Sequence, residues 1–67
     1  MVDLRTRFLR TYANLPLAVR NEIAVVVDND AISWNALKIE VENNTVIGKK
    51  ATVILDRLNF LIKDDKN

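Results

Sequence analysis

Cysteine is absent from these 67 residues, and so is histidine. The first absence excludes a disulfide. The second leaves a zinc site only carboxylates as ligands, an uncommon donor set, and removes the side chain most used for proton transfer near neutral pH. Glycine occurs once, at Gly48, so no glycine-rich phosphate loop can form. Proline also occurs once, at Pro16, and few glycines and prolines mean few loops. No apolar run approaches the roughly 20 residues of a membrane-spanning helix. The start, Met1-Val2-Asp3-Leu4-Arg5, lacks the apolar centre of a signal peptide, so the expected compartment is the cytoplasm and no membrane partner is expected. Neither sign of charge dominates: ten basic residues face nine acids, for a net charge of +1, far from the strong excess of a dedicated nucleic-acid binder.

What is present is a hydrophobic fraction of 49%, too high for a disordered chain. A domain of this size buries only about 60% of its unfolded surface, so its stability rests on a well-packed core or on oligomerisation. Residues 1–62 read as a single small α+β domain without repeats, low-complexity segments or linkers. Residues 63–67, Lys-Asp-Asp-Lys-Asn, read as a charged tail that frays into water.

The spacing predicts a helix from Asp3 to Leu15. Leu4, Phe8, Tyr12 and Leu15 share one face, Asp3 is placed to cap it, and Pro16 disfavours helix at the residue before it. Pro16 to Asn21 suits a short turn or one helical turn. Glu22 to Asp28 is a strand whose continuous run, Ile23-Ala24-Val25-Val26-Val27, predicts burial on both faces. Asp28-Asn29-Asp30 is a turn, and Ala31-Ile32 a short returning strand. Ser33 caps a second helix, Trp34 to about Asn43, with Trp34, Leu37 and Val41 on one face. The alternation Leu37-Lys38-Ile39-Glu40-Val41-Glu42 also fits a strand, and periodicity alone does not decide. Thr45 caps a third helix from Val46 to about Ile62. Its core stripe reads as Ile47, Ile54, Leu58 and Leu61, flanked by Ala51, Leu55 and Ile62, and Gly48 suggests close packing against a neighbour. The fold expected is α+β: helix, short β-hairpin, helix, helix.

Arg20-Asn21-Glu22, the apolar strand and turn, Ile32-Ser33-Trp34, Asn44-Thr45 and Gly48-Lys49-Lys50 resemble a group of small prokaryotic proteins, archaeal ones especially, to which no function is assigned. The resemblance covers about two-thirds of the chain. It implies a helix, a hairpin and two further helices, and it implies no activity.

Catalytic chemistry has little to work with. Ser33 is the sole serine, and its place at a helix start gives it a structural task. Asp28 and Asp30 are close enough to share a cation, but the glycine and downstream glutamate of a calcium loop are missing, so a solvated turn is the preferred reading. No enzyme activity, no cofactor and no metal are expected. Trp34 reads as a core anchor.

Two surface features remain. Val46, Val53 and Phe60, spaced by sevens, form a second apolar stripe bounded by Lys49, Lys50, Asp56 and Arg57. Either the first helix or the hairpin covers it, or another chain does. In the second case the chain forms a homodimer, two third helices crossing a twofold axis through Val46, Val53 and Phe60, with Lys49, Lys50 and Arg57 meeting Asp56 of the other copy. The function expected first is therefore a non-enzymatic interaction or structural module, with self-association or an unidentified protein partner as its two forms. The alternative is a nucleic-acid-associated protein that contacts phosphates through Arg5, Arg7 and Arg10 on the first helix and Lys49, Lys50 and Arg57 on the third.

Overall fold

Asp3 stops the chain from entering a helix with bare amides: its carboxylate accepts from the Thr6 N–H at 2.8 Å. From there the computed structural model, which describes residues 3–63, runs helix, hairpin, helix, helix, the α+β order expected. The first helix, α1, spans Leu4–Ala13. It ends before Leu15 because Asn14 satisfies its last carbonyls, its backbone N–H reaching Arg10 and Thr11 and its side chain bonding the Arg10 carbonyl at 3.0 Å. Phe8 is fully buried, and Leu4, Tyr12 and Leu15 pack beside it. Pro16 then leads to a 3-10 turn at Val19–Asn21.

The hairpin pairs β1, Ile23–Val27, with β2, Asp30–Ser33, in antiparallel register, Val27 opposite Asp30. Asp28 and Asn29 close it with φ of 51° and 72°, the two left-handed residues a two-residue turn requires. Burial on both faces of β1 is not what the structure shows. Val25 and Val27 are buried while Val26, which points the other way, is exposed, because the helices cover one face of the hairpin only; Ile23, on the far side of the register shift from Val25, is exposed as well.

The helix reading of the middle segment holds. Ser33 Oγ accepts from the Ala36 N–H at 3.1 Å and opens α2, Trp34–Glu42. Trp34, Leu37 and Val41 are buried on one side, and the Trp34 ring stacks on Phe8 with centroids 5.9 Å apart. Ile39, which made the strand alternation plausible, points to solvent.

Asn43, Asn44 and Thr45 form a tight corner. Asn44 takes a φ of 55°, its N–H bonds Val41 O, and the Thr45 N–H bonds Glu40 O, each at 3.1 Å. Thr45 Oγ1 then accepts from the Gly48 N–H at 3.0 Å and starts α3, Val46–Arg57. This brings α3 so close to the end of α2 that a Cβ on Gly48 would stand 2.8 Å from the Glu40 carbonyl oxygen.

Two corrections concern α3. It ends at Arg57, not near Ile62. Asn59, at φ 63°, reverses the chain, and the Phe60 N–H bonds Leu55 O at 3.0 Å. The following residues cross α1: the Ile62 N–H donates to Thr11 Oγ1 at 2.8 Å, Arg7 Nε donates to Ile62 O at 3.0 Å, and Leu61 is buried. The core face of α3 is Gly48, Ala51, Thr52 and Leu55, not Ile47, Ile54 and Leu58. Of those three, Ile54 is partly buried, and Ile47 and Leu58 are exposed. The tail predicted at 63–67 lies, beyond Lys63, outside the described residues.

Candidate docking surface

A helix turns about 100° per residue, so the side of α3 opposite Gly48, Ala51, Thr52 and Leu55 carries Val46, Lys50, Val53 and Arg57. Val46 is 68% exposed and Val53 39%; neither α1 nor the hairpin buries them. Phe60, the third member of the stripe by spacing, is also exposed but lies beyond the reversal at Asn59, off the helix. The apolar outer face of α3 is thus the pair Val46 and Val53.

Val53 is the ridge between two open grooves. One, about 420 Å³, lies between the start of α1, the end of α2 and α3. Leu4, Val41 and Val53 line it, with Asp3, Arg5 and Lys49 among the polar side chains around it. The other, about 390 Å³, lies between β1 and α3 and is lined by Val26, Val27, Asp28, Lys50, Val53 and Ile54. Val26 is 58% exposed. Sequence reasoning missed Val26, because a run of five apolar residues reads as a doubly buried strand.

Ion pairs divide the basic residues. Lys50 Nζ binds Asp28 Oδ2 at 3.0 Å across the second groove. Arg7 Nη2 binds Asp56 Oδ1 at 2.7 Å, which ties α1 to α3. Asp56, expected to receive Lys49, Lys50 and Arg57 from another copy, is therefore already engaged within its own chain. The six cations considered for phosphate contact do not act alike. Arg7 and Lys50 hold carboxylates, Arg5 and Lys49 share the first groove, and Arg10 and Arg57 are exposed elsewhere on α1 and α3. Asp28 serves the Lys50 pair and the turn, and Asp30 opens β2. Ser33 is occupied as the α2 cap.

Where α1, the 3-10 turn and the start of α2 meet, polar groups are spent on one another. Tyr12 Oη donates to Asn35 Oδ1, and Asn35 Nδ2 donates to Asn21 Oδ1 at 2.7 Å. The Arg20 guanidinium lies 4.5 Å from the Tyr12 ring centre and donates to the Ala13 carbonyl. These contacts join α1, the 3-10 turn and α2. No helix among the described residues is long and apolar enough to cross a membrane. Comparisons with protein-family models, with curated proteins and with solved structures each returned no match.

Proposed function

We propose that the chain is a non-enzymatic protein-interaction module that docks through the outer sides of α3 and β1. The observation that carries this reading is that Val53 and Val26, on different elements and both substantially exposed, line one groove. Val46 extends the apolar surface along α3. Fully burying one such side chain is worth about 1.5–3 kcal/mol relative to leaving it in water. Contiguous exposed apolar patches on small proteins mark interaction sites more often than scattered single residues do.

A second copy is the simplest occupant to test. Sedimentation velocity over a wide concentration range reads self-association directly. In that form of the proposal Val53→Glu gives a folded chain that associates less than the wild type. A wild type that stays monomeric at high concentration rejects the homodimer. A Val53→Glu chain that unfolds places Val53 in the core and rejects the docking surface.

A nucleic-acid-associated function draws support from Arg5 and Lys49 bordering one groove. It predicts a mobility shift of DNA or RNA that is strongest at low salt and fades as salt rises.

A further inference from the structure

The groove between β1 and α3 has a feature that side-chain exposure alone does not explain. Two successive residues of β1, Val26 and Val27, line it, together with the turn residue Asp28. Successive strand side chains point to opposite faces, so a groove over one face would meet alternate residues. This groove therefore runs along the edge of β1 that β2 leaves unpaired. The register states which backbone groups stand there. Val27 and Asp30 flank the two-residue turn and form the hydrogen-bonded pair that closes it. The next pair, Val26 and Ala31, is then non-hydrogen-bonded, which directs the N–H and C=O of Val26 away from β2 and towards the open edge.

Exposed edges in soluble proteins are ordinarily blunted by a charge, a proline or a bulge. Ile23–Val27 contains no charge and no proline, and its one irregularity lies at the Ile23 end, between Ile23 and Val25. Across the groove, Val53 and Ile54 of α3 offer apolar contact to whatever lies on that edge. Among the described residues no strand pairs with this edge, and an unpaired strand edge facing an apolar helix wall suits one kind of ligand: an extended segment that adds a strand through its backbone and sets alternate side chains against the helix.

We infer that the edge of β1 facing α3 receives an extended apolar segment of a protein partner, paired backbone to backbone at Val26 and carrying basic residues at its two ends. The inference rests on the docking function proposed above and names its partner. Charge selects the occupant. β1 is bounded by Glu22 at one end and by Asp28 and Asp30 at the other, with Lys50 offsetting Asp28. Antiparallel pairing with β1 of a second copy would bring the Glu22 end of each strand to the Asp28–Asp30 end of the other, and like charges opposite one another destabilise a strand pair. A segment with Lys or Arg at its ends meets acids at both.

The test uses the full chain and an acetylated, amidated heptapeptide, Lys-Val-Thr-Val-Thr-Val-Lys, followed by amide chemical shifts and hydrogen exchange. The expected result is saturable shifts at residues 25–27 and 50–54, with new protection of the Val26 amide. Replacing both lysines of the peptide by glutamate weakens binding about tenfold, from two reversed charge pairs. N-methylation of the peptide amides on the edge that meets β1 abolishes binding. Val26→Pro, tolerated on an edge strand, keeps the fold by circular dichroism and loses the peptide; should it unfold, the N-methylated peptide decides instead. Equal binding of the lysine and glutamate peptides, equal binding of the methylated peptide, or no saturable shift at millimolar peptide each overturns the inference. If the wild type self-associates with concentration-dependent protection at Val26, the occupant is a second copy: the inference falls and the docking function stands. A monomer that binds no peptide and is indifferent to Val53→Glu removes both.

Discussion

The two faces of α3 differ in a way that composition would not suggest. The inner face is made of small residues, Gly48, Ala51 and Thr52, with a single large one, Leu55; the outer face carries the branched Val46 and Val53. Burial here follows closeness of approach more than hydrophobicity. The corner at Asn43–Thr45 brings α3 against the last turn of α2, and only a residue without a Cβ fits beneath Glu40. The outer face, under no such constraint, keeps apolar side chains in water. The sharpest test of this contrast is truncation on each face. Leu55→Ala, at a fully buried position, is expected to cost about 2–5 kcal/mol, enough to unfold much of a domain this small. Val46→Ala is expected to stay within about 0.5 kcal/mol. Urea denaturation reads both, and equal costs would break the comparison.

The next effect is smaller and concerns the contact that orients α3. Alanine exceeds glycine in helix propensity by about 1 kcal/mol, so on an exposed helix Gly48→Ala would stabilise. Here the added methyl meets the Glu40 carbonyl oxygen at 2.8 Å and its carbon at 2.9 Å, both backbone atoms that move only if the helices separate. Overpacking of this kind costs about 1–3 kcal/mol, so a net loss of stability is expected. A Gly48→Ala chain more stable than the wild type in the same urea titration would show that the two helices part easily.

Much of the fold is legible in local chemistry. Asp3, Ser33 and Thr45 announce three helix starts, and each accepts the backbone N–H three residues on. Trp34, Leu37 and Val41 declare the inner face of α2. The end of α3 is not legible from apolar spacing, because Leu58, Phe60, Leu61 and Ile62 continue the hydrophobic pattern past the helix. Asn59, a residue type that accepts a left-handed backbone, was the local signal for the stop. The inner face of α3 was legible in part, since Gly48 pointed to the close contact and Ala51 and Leu55 stood beside the expected stripe; the stripe itself was misplaced for a related reason. Periodicity weighs Ile47, Ile54 and Leu58 by their size, whereas the tertiary contact selects Gly48 and Ala51 by their smallness. Of the exposed apolar surface, spacing by sevens marked Val46 and Val53. It could not find Val26, since its exposure depends on which side of the hairpin the helices cover, a non-local outcome.

The smallest expected effect lies where α1 begins, at the border of the groove that Val53 shares with Leu4. The caps of α2 and α3 are hydroxyls, which do not titrate in the working range; the cap of α1 is a carboxylate. The hydrogen bond from the Thr6 backbone N–H holds the Asp3 carboxyl below its usual value; contact with the Thr6 side chain and the nearby charge of Arg5 act in the same direction, against a slight desolvation. A carboxyl whose value is lower in the folded chain than in the unfolded one favours folding above the unfolded value, and that contribution disappears as pH falls through the folded value. Acid should therefore loosen the start of α1 while leaving the Ser33 and Thr45 caps intact. Asp3→Asn keeps a competent cap without the titration. Across that acid window the wild type should lose a little stability relative to Asp3→Asn, with the two running parallel at higher pH. Following the Asp3 carboxyl by NMR tests the cause directly: titration at or above the ordinary aspartate value would mean that the Thr6 bond does not hold the charge. Exchange of the α1 amides then locates the effect. If acid loosened α2 or α3 to the same degree, the contrast between a titrating cap and two inert ones would fail.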